Sequence, residues 1–464
     1  MTSTAEKLEA HHRETLWMWW AVMLLGAWAM VAPFTFGYGD ATVEPSGGRE
    51  VWLSHAARVT AMRLSDTVSG GLLIILAWRS LTPDRPVSMW GACLCGCWLS
   101  VAPVLFWAPS PAAYLNDTAV GMLVIVLTVL APGMPNMVAF MKEGGDTPPG
   151  WSYNPSSWPQ RAVMIGLGFA GFLVSRYLAA YQLGYIPRVW DPFFGDGSRR
   201  VLDSDLSRGW ALSDASLGAV AYTFEFLMGF MGGTARWRTM PWMVTFFGIL
   251  VLPLGLTHIV LVVSQPVVVG AWCTGCLLAA AIMLPMLPLE VDEVVAMGQH
   301  LVESKRKGIS LWEAFWKGGP ADGAVADERS PALFDLPRRS ADVAGASLWG
   351  MSVPWNLIAC AALGLALVFM PVALDLAGPA LTTPQFIGLL IVVCAVIAFG
   401  EPVRALRFLN VALGVGVALA VWFISGAGTV ARLVESALGV SVAALSFRRG
   451  PRRERYGLWD RFVV

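Results

Sequence analysis

Cys273 and Cys276 are the two residues of this chain whose type and spacing are best suited to chemistry. They are three positions apart at the start of a long apolar segment, so a helix there places both thiols on one face, within reach of a disulfide bond. The positive end of such a helix stabilises a thiolate, the nucleophilic form of cysteine. The spacing alone leaves two alternatives open: a pair that cycles between dithiol and disulfide, and two inert buried cysteines.

The other cysteines offer no second site. A zinc centre would need two more cysteines or histidines near the first pair, and the sequence has none there, so we expect no metal. Seven cysteines cannot all be paired with one another. Cys93, Cys95 and Cys97 lie in the middle of an apolar run and are expected to pack between helices. The same is expected of Cys360 and Cys394.

The composition predicts a membrane protein. Of 464 residues, 56% are hydrophobic and 14% are charged, whereas soluble proteins average about 45–50% apolar and about 25% charged residues. The 32 lysines and arginines balance the 32 aspartates and glutamates, so no net field attracts nucleic acid. We therefore expect membrane lipid as a partner and no nucleic acid.

Twelve apolar runs are long enough for transmembrane helices, since a hydrocarbon core of about 30 Å needs roughly 20 residues. They form three groups of four and predict an all-α polytopic membrane protein whose central group is a four-helix bundle. The predicted spans are 16–37, 66–82, 88–107, 114–135, 161–183, 212–231, 241–263, 267–289, 354–374, 384–400, 408–424 and 428–446. The predicted regions are an N-terminal repeat domain (1–145), the bundle (151–300), a cytoplasmic linker (301–350) and a C-terminal repeat domain (351–464).

Basic residues in short loops predict the orientation, because lysine and arginine favour the cytoplasmic side. The arginines after the last span and those in three turns fall on one side when the spans are even in number, which predicts that both termini are cytoplasmic. Two outer loops also contain arginines, contrary to this rule. One of them, the loop 184–211, contains aspartates that balance its arginines. That balance predicts a folded, ion-paired cap. The stretch from Val291 through Trp316 mixes apolar and charged residues, which predicts either a membrane-surface helix or a cytoplasmic one.

Glycines recur at a fixed spacing in the first and last groups. Gly26, Gly96 and Gly364 each precede a proline by seven residues, and Gly414 precedes Val421 by the same number. The next helix of each pair carries a second glycine, and three of these follow an acid by four residues. The second glycines are Gly70, Gly121, Gly388 and Gly439, and the acids are Asp66, Asp117 and Glu435. Glycine lets helices approach closely, so each pair predicts a hairpin. The unit resembles the Ser-Pro-Trp repeat of bacterial membrane proteins, which implies no chemistry.

The central group resembles the vitamin K epoxide reductase family, whose core is a four-helix bundle with a CxxC pair at the outer start of its fourth helix, beside a bound quinone. The matching features are the pair itself, the apolar helix that follows it, and Leu217, Gly218 and Tyr222 on the second helix. The resemblance implies that Cys276 faces a quinone of the ubiquinone or menaquinone type. It implies that Cys273 exchanges with an external thiol partner, such as an extracytoplasmic thioredoxin-like protein.

One departure from the family matters for this prediction. The family relays electrons through a second cysteine pair in the loop between its first and second helices, and the corresponding loop 184–211 contains no cysteine. Direct reduction of Cys273 by a separate protein is possible. Cys93, Cys95 and Cys97 are an alternative, substitute cluster, although their place inside an apolar span favours packing.

Several other polar residues of the central group are candidates for the site. Glu225, His258 and Tyr222 are expected to contact the quinone. Glu225 and Arg176 lie near mid-depth of adjacent spans, where a charge is costly, so they predict either an ion pair or a proton relay. His258 either serves the quinone or satisfies a backbone oxygen.

Two further motifs in the central group have structural readings. The loop Trp190–Gly195 predicts a lid or an interfacial anchor. The GxGxxG of Gly166, Gly168 and Gly171 lies inside an apolar span, so it predicts close helix packing and not a dinucleotide site.

The sequence therefore favours a membrane thiol oxidoreductase of the bacterial inner membrane, which passes electrons from an extracytoplasmic dithiol through Cys273 and Cys276 to a quinone. Two other classes stay open. One is a non-catalytic scaffold that keeps the bundle without the relay, and the other is a transporter built from the flanking repeats.

Overall fold

The protein is an all-α polytopic membrane protein. The computed structural model describes residues 4–40, 43–131, 144–331 and 339–463, and it is 71% helical. Within those ranges no strand occurs, and extended pairing is limited to three isolated bridges, such as that between Thr147 and Val325. The predicted fold class is confirmed.

Twelve long helices in the described ranges are numbered in chain order. They are α1 (Thr4–Thr35), α2 (His55–Arg79), α3 (Pro86–Leu105), α4 (Pro111–Leu130), α5 (Trp158–Gln182), α6 (Asp214–Phe230), α7 (Pro241–Val268), α8 (Thr274–Arg306), α9 (Trp355–Ala373), α10 (Pro379–Ile397), α11 (Glu401–Ala420) and α12 (Thr429–Ser446). A π turn, Val126–Leu130, ends α4, and another, Leu250–Leu254, interrupts α7. Short α-helices lie at Gly197–Leu202, Asp205–Arg208, Arg236–Thr239, Leu311–Lys317 and Ser340–Ala346.

Eleven helices of the described chain are long and apolar enough to cross a membrane, one fewer than the twelve predicted. The helix that falls short is α6, predicted at 212–231. It has 17 residues and is therefore only about 26 Å long at 1.5 Å per residue. Ser213 ends the preceding loop and caps α6 by accepting a hydrogen bond from the Ser216 N–H at 3.0 Å.

The predicted glycine hairpins are confirmed, because the two glycines of each pair face one another. A Cβ atom added at Gly70 would lie 2.4 Å from the carbonyl oxygen of Gly26, far inside the ordinary contact distance of about 3.5 Å. The same approach occurs in the other three hairpins. The pairs are Gly26 with Gly70, Gly96 with Gly121, Gly364 with Gly388, and Gly414 with Gly439. A side chain at any of these positions would force its hairpin apart.

Helix α8 runs farther than predicted. The apolar span was expected at 267–289, with a separate helix over Val291 to Trp316, but α8 is continuous to Arg306. The stretch Val291–Trp316 is thus not one separate helix: its first part belongs to α8, and Leu311–Lys317 is separate. Two charged residues of that stretch, Asp292 and Glu293, are buried. Glu293 pairs with Arg236 at 2.5 Å, and Asp292 accepts a hydrogen bond from the Tyr153 hydroxyl at 2.7 Å.

By compactness the chain divides into two units. The described residues of the first fall within 1–143, 168–233 and 273–275, and those of the second within 144–167, 234–272 and 276–464. These boundaries pass through the central group of helices. The four regions expected at 1–145, 151–300, 301–350 and 351–464 remain a prediction.

Candidate functional site

The candidate site lies at the start of α8, where a tight turn brings the chain back from α7. Gly270 has a φ of +66°, a left-handed conformation that favours glycine, and its N–H donates to the Gln265 carbonyl at 3.0 Å. Cys273 directly precedes Thr274, the first residue of α8. The predicted position of the thiol pair at a helix start is therefore confirmed.

Cys273 and Cys276 are the two cysteines in disulfide linkage. The remaining five of the seven cysteines are free, so the bond joins these two. The side chain of Cys273 is 0% exposed, whereas Cys276, one helical turn on, is half-buried. The pair thus presents one inaccessible and one partly accessible sulfur.

The free cysteines lie inside helices, as their apolar surroundings predicted. Cys93, Cys360 and Cys394 are buried, and Cys95 and Cys97 are half-buried. Cys360 contacts the Ser446 hydroxyl at 3.4 Å within the core of the last four helices. These contacts support packing as their role.

The loop 184–211 is folded and is hydrogen-bonded to the thiol-pair turn. Asp191 accepts a hydrogen bond from the Thr274 hydroxyl at 2.5 Å, and also from the N–H groups of Ser198 at 2.7 Å and Phe194 at 3.0 Å. Ser198 in turn accepts from the Thr274 N–H at 3.1 Å. The helix itself provides no acceptor for that N–H, because it lies in the first turn. Thr274, the residue directly after Cys273, is thus held by two loop side chains.

The electrostatics of Asp191 match this role. Partial burial alone would raise the pKa of the Asp191 carboxyl. The hydrogen bonds from Thr274, Ser198 and Phe194 outweigh that effect and lower its pKa below the ordinary value. Asp191 is therefore a carboxylate throughout the neutral range. Sequence reasoning noticed its acidic, aromatic loop but missed its contact with Thr274, which is 83 residues away.

Two arginines of the outer loops have hydrogen-bond partners there. Arg49 donates to the Leu202 carbonyl at 2.7 Å and to the Ser207 hydroxyl at 2.6 Å. Arg58 donates to the Trp107 carbonyl at 2.6 Å. The loop 184–211 is folded as predicted, and Arg199 and Asp196 form an exposed ion pair within it.

Tyr222 and Glu225 lie on one face of α6, three residues apart. Tyr222 is 2% exposed, and Glu225 is fully buried. Among the described residues, neither carboxyl oxygen of Glu225 has a hydrogen-bond partner. A buried polar group without a partner costs free energy, so Glu225 is suited to a polar ligand or to proton transfer.

The predicted ion pair between Arg176 and Glu225 is wrong. Arg176 donates instead to the Thr118 hydroxyl at 2.7 Å and lies over the Tyr114 ring. Depth explains the difference. Arg176 is six residues from the end of α5, about 9 Å along the axis, whereas Glu225 is 11 residues from the start of α6, about 17 Å along.

The remaining candidates are more scattered. His258 is half-buried on α7 and belongs to the second compact unit. In the GxGxxG motif, Gly171 packs against the Tyr222 ring and Gly168 against Phe226, while Gly166 faces open space. Close packing is thus confirmed for two of the three glycines. Within the described residues, no group of three or more histidine, cysteine or acidic side chains is placed to hold a metal ion.

Comparison with known proteins supports the reading of the central helices. Searches of curated proteins and of solved structures gave no significant match. The model of the vitamin K epoxide reductase family matches residues 162–291, a segment that runs from α5 into α8 and contains the disulfide, Tyr222, Glu225 and His258. Residues 162–291 are thus the part of the chain that is similar to the vitamin K epoxide reductase family.

Proposed function

We propose that this protein is a membrane thiol-disulfide oxidoreductase that passes electrons from an extracytoplasmic dithiol through Cys273 and Cys276 to a lipid quinone. The observation that carries the proposal is the disulfide at the start of α8, inside the segment that matches the family. A disulfide at a helix start is a suitable electrophile, because the helix stabilises the thiolate that leaves when the bond opens.

The first half-reaction is thiol exchange. A thiolate of the substrate attacks one sulfur of the Cys273–Cys276 bond, and the other cysteine leaves as a thiolate. The second substrate thiol then attacks the mixed disulfide, so the substrate is oxidised to a disulfide and Cys273 and Cys276 are reduced to thiols. The resemblance assigns the exchange to Cys273. Its complete burial requires that the surroundings move before a substrate thiol reaches it.

The second half-reaction restores the disulfide. The two thiols lose two electrons and two protons as the bond between Cys273 and Cys276 forms again. A quinone of the ubiquinone or menaquinone type would accept them. Glu225 supports this assignment, since its buried oxygens lack hydrogen-bond partners in the part of the chain that the structure describes, and Tyr222 lies near it on α6. Tyr222 and Glu225 lie partway along α6, which suits them to hold or donate protons away from the sulfurs. His258 is a further candidate for that role.

The loop cysteines of the family have no counterpart here. The substrate dithiol therefore comes directly from a separate protein, and a thioredoxin-like fold outside the cytoplasm would supply it. An oxidising compartment suits the disulfide product, which favours the inner membrane of a bacterium. Both termini lie in its cytoplasm when α6 crosses the membrane together with the other eleven helices.

The test is turnover by the purified protein in detergent. Dithiothreitol and a ubiquinone or menaquinone analogue are supplied, and quinone reduction is followed by absorbance. Wild-type protein is expected to turn over, and Cys276→Ala is expected to lose the activity. Cys360→Ala is the matched control, because that free cysteine is buried in α9 and is expected to keep it. Absence of turnover in the wild type with several quinones and reductants would leave the scaffold as the function of the bundle.

A further inference from the structure

The loop 184–211 is connected to the redox pair by one small set of side chains. Three of the four hydrogen bonds of this set end on the Asp191 carboxylate, and the fourth joins Ser198 to the Thr274 N–H. The bonds from Ser198 and Phe194 to Asp191 lie within the loop. Only the two made by Thr274 cross from the loop to the start of α8.

The position of Thr274 gives these two bonds a chemical consequence. Thr274 is bonded in the chain to Cys273, whose side chain is 0% exposed. Exchange requires a thiolate to approach a sulfur of the disulfide directly, and no thiol can approach Cys273 in this arrangement. Movement of the Cys273 turn away from its surroundings first requires that Thr274 separate from Asp191 and Ser198.

We propose that Asp191, Ser198 and Thr274 form a latch that closes Cys273 to thiols, and that the dithiol partner gains access when the latch opens. Asp191 is the positioning residue of this latch, and it acts on Cys273 through Thr274. The inference rests on the proposed thiol chemistry of the pair. It adds the residues that control when the sulfur of Cys273 becomes accessible to a thiol.

A carboxylate suits this role better than a neutral acceptor. Hydrogen bonds to a charged group contribute roughly twice as much as neutral ones. Two backbone N–H groups fix the carboxylate of Asp191 before Thr274 binds to it, so little conformational freedom is lost when the latch closes. Asp191 also stands next to the exposed aromatic residue Trp190, whose N–H donates to the Tyr177 hydroxyl at 2.7 Å. The loop is therefore anchored on both sides of the latch.

The test measures the accessibility of Cys273 in a chain that carries Cys276→Ser. Purified protein in detergent is treated with iodoacetamide, and alkylation of Cys273 is followed over time by peptide mass spectrometry. Asp191→Ala is expected to raise the alkylation rate of Cys273 by about tenfold or more, the loss expected for a charge-assisted hydrogen bond. Thr274→Val removes only the hydroxyl donor and is expected to act in the same direction.

Two controls separate the latch from general loosening. Asp196→Ala changes an exposed aspartate of the same loop, whose partner is the exposed Arg199, and is expected to leave the Cys273 rate within about twofold, as for other surface ion pairs. Cys360, which is also 0% exposed but lies in α9, serves as an internal reference. A latch raises the rate at Cys273 alone, whereas destabilisation raises both.

The latch proposal is overturned if the ratio of the Cys273 alkylation rate to the Cys360 alkylation rate is unchanged in both variants, Asp191→Ala and Thr274→Val. If Asp191→Ala does not fold, the milder Thr274→Val decides by the same ratio. Because alkylation uses neither quinone nor substrate thiol, a failure of the latch is distinct from a failure of quinone turnover.

Discussion

Substitution of Gly171 by alanine tests the packing that holds Tyr222 in the candidate site. A Cβ atom at position 171 would lie 2.3 Å from Cε1, 2.5 Å from Cδ1 and 2.6 Å from Cζ of the Tyr222 ring. Ordinary carbon contacts are about 3.5–4.0 Å, so the ring and the new methyl group must separate by about 1 Å or more. The ring is 2% exposed and has no open space into which it could swing.

The expected cost follows from this geometry. Overpacking of a filled interior costs about 1–3 kcal/mol, so Gly171→Ala is expected to unfold at a lower temperature or denaturant concentration than the wild type. Gly166→Ala is the matched control on the same helix. Nothing lies within 4 Å of a Cβ atom there, and alanine is the better helix former by about 1 kcal/mol, so its stability is expected to be unchanged or slightly raised.

The assay is unfolding of the purified protein in one detergent, followed by circular dichroism, together with the KM for the quinone analogue. Displacement of Tyr222 is expected to raise the KM in Gly171→Ala and not in Gly166→Ala. Equal stability and equal KM for the two variants would refute the packing argument. Lower stability with an unchanged KM would keep the packing and remove Tyr222 from the cofactor site.

Three other perturbations have defined outcomes. Gly70→Ala is expected to destabilise the first hairpin by about 1–3 kcal/mol, while Gly71→Ala, with open space at its Cβ position, is not, as a denaturant titration would show. Because the pKa of Asp191 is lowered, the latch is complete above the ordinary aspartate pKa and is lost only as pH falls through the lowered value. The ratio of Cys273 alkylation rates with and without Asp191→Ala is therefore expected to be constant from about pH 5 to pH 8. Arg236→Ala leaves the buried carboxylate of Glu293 without its ion-pair partner and is expected to lower the free energy of unfolding by about 3–5 kcal/mol. Arg199→Ala, in an exposed pair, is expected to lower it by at most about 1 kcal/mol. Denaturant titration measures both.

The elements of this fold could be predicted because each depends on a local signal. Apolar runs of about 20 residues predict spans whatever the neighbouring helices are. The close approach of Gly26 and Gly70 followed from the repeated spacing, because each hairpin carries one glycine in its first helix and a second glycine in its next helix. The position of Cys273 at a helix start followed from the long apolar segment that begins at the pair.

The relations between distant segments could not be predicted in this way. The sequence does not fix how far one helix is shifted along its axis relative to the next, so Arg176 and Glu225 were paired although they lie at different depths. The acidic residues of α8 resembled a surface helix because Arg236 and Tyr153, their partners, are remote in the chain. The contact of Asp191 with Thr274 has no local signal at all, and it became visible only once the loop was folded.

The four glycine hairpins have a consequence for how such a chain could grow. A hairpin of two crossings returns the polypeptide to the side it left, so the gain or loss of one leaves the orientation of every later segment unchanged. Each hairpin also satisfies its tightest contact internally, glycine backbone against glycine backbone, and needs no matching surface elsewhere. Duplication of such a unit is therefore a small step in evolution, and it could lengthen either end of the chain without turning over the segment that carries the disulfide.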